Sequence, residues 1–348
     1  MAAKKPAENK ELKELKRALE QGQPARLYIF HGPESYLREH YLQRLKKCIL
    51  TGGMESFNYH EFQGKDLAVH QLIEAAEAFP MMSDRSLVLV HDYNLFQNTD
   101  RMEQLLPLIK ELPDYLCLVF LYETEKWSAN ANTKLGKAIK ANGQIVEFRE
   151  QQKSDLNAWI RRTLKKRWDK EIDTDSCDYL TFLCGDLMAN LSGELDKLGA
   201  YTKGNRVTRT QIDAVCEPVL EARAFQMTDA ITAGDYDRAL ELLHELLRMG
   251  EEPIVILAAL GRQLRQLWSA RLAWESRRGA AYLADLWGMK SSWQADKLLN
   301  ASRNYSRSWC RKAVKLTQEA DWRMKSGTDS ASVLVELVLT LAAEKKGR

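Results

Sequence analysis

Between Leu27 and Phe148 the chain alternates two hydrophobic patterns. Leu27–Phe30, Leu87–Val90 and Leu116–Leu121 are apolar at every position. A strand with one wet face alternates apolar and polar residues, whereas a strand covered on both faces is apolar throughout. Between these runs lie segments in which apolar residues recur every three or four positions, the period of an amphipathic helix. The pattern predicts a charged helix over Glu8–Glu20, a strand over 27–31 and a helix over 34–50 carrying Tyr36, Leu37, Tyr41, Leu42 and Leu45. A β-like segment at Ser56–Phe62 follows, then a helix over Asp66–Ala78 and a strand over Ser86–His91. A helix over 100–111, the strand Leu116–Leu121, a helix over Asn130–Ala141 and the strand Gln144–Phe148 complete the region. Strands alternating with helices imply a parallel sheet covered on both faces.

Beyond residue 150 the strand pattern stops. Helices are expected at 153–168, 175–184, 187–202 and 208–215, the last with Thr208 and Thr210 as capping candidates. Glu217-Pro218 interrupts the periodicity, and a proline there suits a junction. From Ala222 the chain reads as helical again, broken at Gly234-Asp235, Gly250–Pro253, Gly279, Gly288 and Gly327–Asp329. The expected organisation is an α/β domain over 1–150, a small helical domain over 151–218 and a second helical domain over 219–348.

Composition narrows the class. The chain has 348 residues, 45% hydrophobic and 28% charged, which suits a globular protein of more than one domain. No apolar run approaches the roughly 18 residues of a membrane helix, and Met1–Lys5 lacks the apolar stretch of a signal peptide, so a cytoplasmic protein is expected. Six cysteines are scattered with no Cys-x-x-Cys pair, which favours buried reduced thiols over zinc or disulfides. The histidines show no His-x-x-x-His or other ligand spacing, and neither a metal nor a cofactor is expected. The net charge of +3 is uneven: residues 262–348 carry 17 Lys+Arg against 8 Asp+Glu, a net of +9.

The first strand runs into Gly32 and then a helix, which is the frame of a phosphate-binding loop, G-x-x-x-x-G-K-[ST]. Counted from Gly32, the three diagnostic slots hold Leu37, Arg38 and Glu39. Leucine fills space that glycine leaves open, and Glu39 brings negative charge where a triphosphate would sit. The expectation is a degenerate loop that binds no nucleotide, in a chain whose work is mechanical or adhesive. His91-Asp92, where an ATPase places an Asp-Glu pair, does not support hydrolysis without that loop.

A second loop is unusual in the opposite sense. Pro80 ends the preceding helix, because it lacks an amide hydrogen and restricts the residue before it. Phe79, Met81 and Met82 are thereby left in a loop ahead of Ser83-Asp84-Arg85. Large apolar side chains are unusual there, and methionine adapts to irregular pockets. They serve either to pack under the sheet edge or to anchor a partner protein.

Four local patterns, in order and spacing, resemble the δ-subunit family of the bacterial DNA polymerase III clamp loader. They are Leu27–Leu37 with Tyr28, Gly32, Glu34 and Leu37; Ala78–Val90 with its Pro-apolar-apolar-Ser-x-Arg loop; Ala224–Asp235 followed by Ala239, Leu242, Leu243 and Leu247; and Gly250–Ile254 followed by Leu257, Leu260 and Arg262–Leu267. The resemblance implies an AAA+-like (RecA-like) N-terminal domain without ATPase activity, a small helical lid and a C-terminal helical collar domain that joins other loader subunits. It further implies a non-catalytic part of a DNA polymerase holoenzyme that binds and opens the sliding clamp, the beta subunit. Its other partners would be the ATPase tau/gamma subunits, delta prime and primed DNA, with no membrane. Phe79, Pro80, Met81 and Met82 take the clamp-binding positions, with methionine at both places where the family commonly has leucine and an aromatic.

Other readings are a divergent P-loop ATPase or GTPase, which Leu37, Arg38 and Glu39 oppose, and a different loader subunit, whose cysteine zinc cluster and Ser-Arg-Cys motif are missing. A further alternative is a helical DNA-binding protein using the basic C-terminal region. There, Trp268, Trp274, Trp287, Trp293, Trp309 and Trp322 lie among many arginines and lysines, although tryptophans at helical spacing are more often core. Arg161-Arg162 and Lys165–Arg167 read as a solvated helix face, given the acidic residues that follow.

Overall fold

The computed structural model describes residues 10–51, 55–124, 126–128, 130–289 and 292–346; Met1–Lys5 and the Glu8 start of the first expected helix lie outside them. Two compact units are present. The first runs to Gln152 and takes in Leu187–Ala189, and the second comprises Lys153–Asp186 and Asn190 onward.

In the first unit the elements are α1 (Lys10–Glu20), β1 (Leu27–His31), α2 (Ser35–Ile49), α3 (Glu55–Asn58), β2 (Tyr59–Gln63), α4 (Val69–Glu77), β3 (Ser86–His91), α5 (Thr99–Lys110), β4 (Leu116–Leu121), α6 (Lys134–Asn142) and β5 (Gln144–Glu147). The five strands form one sheet in the order β2-β3-β4-β1-β5, and every neighbouring pair is parallel. The apolar runs explain the layering. Leu27, Ile29, Val88, Val90, Leu118 and Phe120 face one side, against Leu72 of α4, Leu105 and Ile109 of α5 and Ile139 of α6. Their alternates Tyr28, Phe30, Leu87, Leu89 and Val119 face the other, against Leu15 of α1 and Leu42, Leu45 and Ile49 of α2. Successive side chains of a strand point to opposite faces, so a fully apolar strand satisfies two helical layers at once.

In parallel α/β sheets, ligands meet the carboxyl ends of the strands where the connections reverse direction. Here the chain leaves β1 for β2 at one edge of the sheet and later crosses from β4 past β1 to β5 at the other, so the reversal lies beside β1, and the loop opening at Gly32 emerges at that carboxyl edge.

The segment Ser56–Phe62 differs from expectation. It begins as the short helix α3 and becomes strand only at Tyr59, because Asn58 turns its side chain into the molecule and bonds Met81 instead of extending a ladder. The expected helix from Asn130 starts later, at Lys134, where the Thr133 hydroxyl accepts the Gly136 N–H at 3.0 Å and caps the first turn.

The second unit holds α7 (Lys153–Trp168), β6 (Glu171–Ile172), α8 (Thr174–Cys184), α9 (Met188–Tyr201), whose first two residues belong to the first unit, β7 (Arg206–Val207), α10 (Arg209–Val215), α11 (Leu220–Ala233), α12 (Tyr236–Arg248), α13 (Pro253–Glu275), α14 (Ala280–Trp287), α15 (Ser292–Ser302), α16 (Arg307–Lys325) and α17 (Ser330–Lys346). The strand signal was expected to end at residue 150, yet β6 and β7 pair in parallel. Two residues per strand are too few for any period to register. Helices α11 to α17 share one core built on residues such as Ile231, Leu243, Leu260, Leu264, Trp309 and Leu334. Gly234 ends α11 in the left-handed conformation, and Asp235 caps α12 by accepting the Arg238 N–H. No helix among the described residues is long and apolar enough to cross a membrane.

Candidate functional site

Two loops of the first unit hold the residues singled out in the sequence: one follows β1 at the carboxyl edge of the sheet, the other precedes β3 at the opposite edge, and they are built differently. The turn after β1 is closed by its own protein. Gly32 has φ +115°, and a Cβ there would lie 2.5 Å from the Phe148 carbonyl oxygen, so only glycine fits. The Glu34 N–H donates to that same carbonyl at 3.0 Å, and the Phe148 N–H donates to His31 at 2.7 Å. A phosphate cradle needs several looping residues whose amides point at the ligand. Here α2 already begins at Ser35, three residues after Gly32.

Side chains fill the same place. Arg38, 7% exposed, donates from Nη1 to the Gly32 carbonyl at 2.7 Å, and its Nη2 lies 3.7 Å from Glu123. Leu37 packs against the core on the α2 side of the sheet. Glu39 is exposed and accepts from Gln43 at 2.7 Å on the surface of α2. The buried carboxylate at this turn is instead Glu34, which accepts the backbone N–H of Met188 at 3.2 Å. Sequence spacing pointed to Glu39; the helix starts early enough to rotate Glu39 outward and leave Glu34 in the turn.

His91 and Asp92 join the arrangement. The two ring nitrogens of His91 each lie 2.8 Å from a carboxylate oxygen, of Glu61 and of Glu123. Burial alone would raise the Glu61 carboxyl, but hydrogen bonds from Tyr59 and His91 and the charge of Lys46 outweigh it and hold Glu61 below the ordinary range. Asp92, at φ +46°, accepts the Glu123 N–H at 2.8 Å and the Thr124 hydroxyl at 2.6 Å. Its carboxylate organises a loop. The imidazole, carboxylates and guanidinium thus satisfy one another across the carboxyl edge of the sheet.

The second loop is open. Helix α4 ends at Glu77, and the chain through Phe79, Pro80, Met81 and Met82 has no regular structure. Phe79 is 82% exposed, Met81 56% and Met82 81%, so the alternative of packing under the sheet edge does not describe them. Phe57, missed in the sequence reading, is also exposed. Met82 adopts φ +51°, uncommon for a side chain with a Cβ. The loop nevertheless has defined anchors. The Phe79 ring lies 5.0 Å from that of Tyr115, whose hydroxyl donates to the Glu77 carbonyl at 2.8 Å. Arg85 reaches the Pro24 carbonyl at 3.2 Å. Buried Asn58 takes both backbone groups of Met81.

Elsewhere, Trp309 is buried, Trp268, Trp287 and Trp293 are half-buried, and Trp274 and Trp322 are exposed. Much of the C-terminal positive charge is paired: Arg271 and Arg307 both meet Glu275, Lys312 meets Glu344 and Arg323 meets Glu336. On α7, Lys165 pairs with Asp169 and Arg167 with Asp196. The cysteines are free thiols, five of them buried; burial pushes Cys117 and Cys177 up to about 12. Among the described residues, Cys184, Glu194 and Cys216 bring their donor atoms within 4.8 Å of one another. The distances along the chain gave no signal of this group. Glu194 pairs with Lys197 at 2.7 Å, and the hydrogen bond with Cys184, then burial, raises the Cys216 thiol.

Comparison with known proteins gives a consistent picture. Residues 28–149 match the family described as DNA polymerase III, delta subunit, and residues 221–341 match the DNA polymerase III delta subunit, C-terminal domain. The DNA polymerase III subunit delta of Bacillus subtilis is 23% identical over 331 residues, covering 93% of this chain and 94% of that protein. The Escherichia coli protein of the same name is 22% identical over 270 residues, covering 72% and 77%. The solved Bacillus subtilis DNA clamp loader delta protein superposes with a TM-score of 0.52 at 22% identity, covering 95% of this chain and 99% of that one. At that identity the superposition speaks for the fold.

Proposed function

The chain belongs to the DNA polymerase III delta-subunit family, and from that premise we propose that it is the clamp-loader subunit that grips and opens the sliding clamp, the beta subunit. The observation that carries this reading is the exposure of Met81 and Met82 on a loop with fixed anchors. Phe79, Pro80, Met81 and Met82 form an apolar prong that enters a hydrophobic pocket of the clamp. Binding shifts the ring toward its open state only through higher affinity for that state, since equal affinity for both would shift nothing.

The chain does this without hydrolysing ATP. Gly32, Leu37, Arg38 and Glu39 stand where a nucleotide loop would be, and α2 begins too early to cradle phosphate. Energy from ATP enters through the tau/gamma subunits, and delta prime completes the assembly. Residues 151–218 serve as a lid, and residues 219–348 join the collar of the complex. Primed DNA passes within the assembly in the cytoplasm, with a modest electrostatic contribution from the basic C-terminal region.

The test is capture of the cognate sliding clamp by the purified chain. Capture by the wild-type chain and its loss on Met81→Ser/Met82→Ser substitution, with the unfolding temperature nearly unchanged, is the expected result. Full capture by the double variant would refute the proposal.

A further inference from the structure

We propose that Asn58 is the positioning residue of the prong and thereby sets this chain's affinity for the clamp, an inference that rests on reading Met81 and Met82 as clamp-binding residues. Asn58 is only 2% exposed, although its neighbour Phe57 is exposed and the strand that follows is an edge strand. A buried carboxamide must find hydrogen-bond partners or pay heavily in desolvation. Asn58 finds them in a residue 23 positions away. Its Nδ2 donates to the Met81 carbonyl at 2.9 Å, and its Oδ1 accepts the Met81 N–H at 2.7 Å.

One planar amide therefore holds both backbone groups of one loop residue, the exchange that a partner strand makes in a ladder. A loop between α4 and β3 gains the fixity of a paired strand while both methionine side chains stay in solvent. Fixing Met81 also sets the direction in which Met82 leaves, and Met82 sits at φ +51°, a conformation that persists when its surroundings over-determine it. Without the clasp the loop samples more conformations, and ordering it again is charged against binding.

The experiment measures clamp affinity, thermal unfolding and amide hydrogen exchange for the full chain and for Asn58→Ala, Asn58→Asp and Met82→Ala. Loss of two neutral hydrogen bonds sets the scale, so Asn58→Ala is expected to raise the Kd for the clamp about tenfold. The Met81 amide exchanges faster while amides of β3 keep their protection. Asn58→Asp keeps the acceptor for the Met81 N–H but sets a carboxylate against the Met81 carbonyl, and also weakens binding. In the Met82→Ala background, Asn58→Ala costs less than in the wild type, because part of what Asn58 orients is gone.

Wild-type affinity in both Asn58 variants, with Met82→Ala still weakened, overturns the role of Asn58 and leaves the clamp reading standing. Equal loss of protection at Met81 and throughout β3 overturns it too, since Asn58 would then be an ordinary fold residue. If Asn58→Ala does not fold, the Asn58→Asp affinity decides. Failure of the wild-type chain to bind the clamp at all sinks the underlying reading.

Discussion

Truncating the two methionines one at a time separates a docking residue from a packing residue. Met82 is 81% exposed and Met81 56%, so the free chain already buries more of Met81 than of Met82. Full burial of a methionine is worth about 1.5–3 kcal/mol, so the surface still available leaves about 2 kcal/mol for Met82 and about 1 kcal/mol for Met81. Converted to affinity, Met82→Ala should weaken clamp binding roughly 30-fold and Met81→Ala roughly 5-fold. Stability should follow the opposite order, with Met81→Ala losing up to about 1 kcal/mol and Met82→Ala almost nothing. Titration calorimetry against the cognate clamp at one salt concentration, with urea unfolding of the free chain, reads both quantities. The reasoning fails if Met82→Ala destabilises the free chain by more than about 1 kcal/mol, because that would make the side chain part of its own core. It fails equally if neither variant changes the Kd.

The filled turn makes two predictions, and an ionised cap makes a third. Gly32→Ala meets both a positive φ and the Phe148 carbonyl at 2.5 Å, and should cost about 3 kcal/mol of stability; a loss below about 0.5 kcal/mol in urea unfolding would contradict the geometry. Restoring the motif as Leu37→Gly/Arg38→Lys/Glu39→Thr should still give no ATP binding, because positions 35 and 36 are wound into α2; micromolar affinity in a fluorescent-nucleotide titration would revive the ATPase reading. Asp173 caps α8, and the Ser176 N–H at 2.7 Å, opposed by burial and helped by Arg206, holds its carboxyl below the ordinary 3.8. A depressed folded value means that this contribution is complete above the unfolded value and fades as pH falls through the folded one. Wild type should therefore exceed Asp173→Asn by about 0.5 kcal/mol at neutral pH, a small amount because the pair with Arg206 is exposed and screened. The gap should close under acid unfolding below the ordinary carboxylate range, and a gap that widens there would reverse the sign.

The sheet was legible because its signal is local. Leu87–Val90 and Leu116–Leu121 are apolar at consecutive positions, and two-sided burial is the arrangement in a parallel sheet that accounts for such runs. The pair β6 and β7 was not legible, since two residues on each side carry no period. The missing phosphate-binding residues could be counted from Gly32, yet which carboxylate would occupy the turn could not. That depends on where α2 begins, and one turn more or less of helix exchanges Glu34 for Glu39. Arg38 could be seen to lack the role of a P-loop lysine, but its bond to the Gly32 carbonyl depends on the tertiary fold.

The same distinction divides the prong from its support. Phe79, Met81 and Met82 stand out because apolar bulk next to a helix-ending proline conflicts with the ordinary composition of loops, and such conflicts are visible in one dimension. Asn58 gives no conflict to notice. A single asparagine inside a stretch that reads as β-like names no partner, and only the fold, which ends α3 at Asn58, brings it to Met81, 23 residues away. A binding loop can therefore be found by what is wrong with its sequence, whereas the residue that holds it is found by asking why a polar side chain is buried. The cost of burying Asn58 is offset by making it the partner of Met81's backbone, which leaves the methionine side chains free to meet something else.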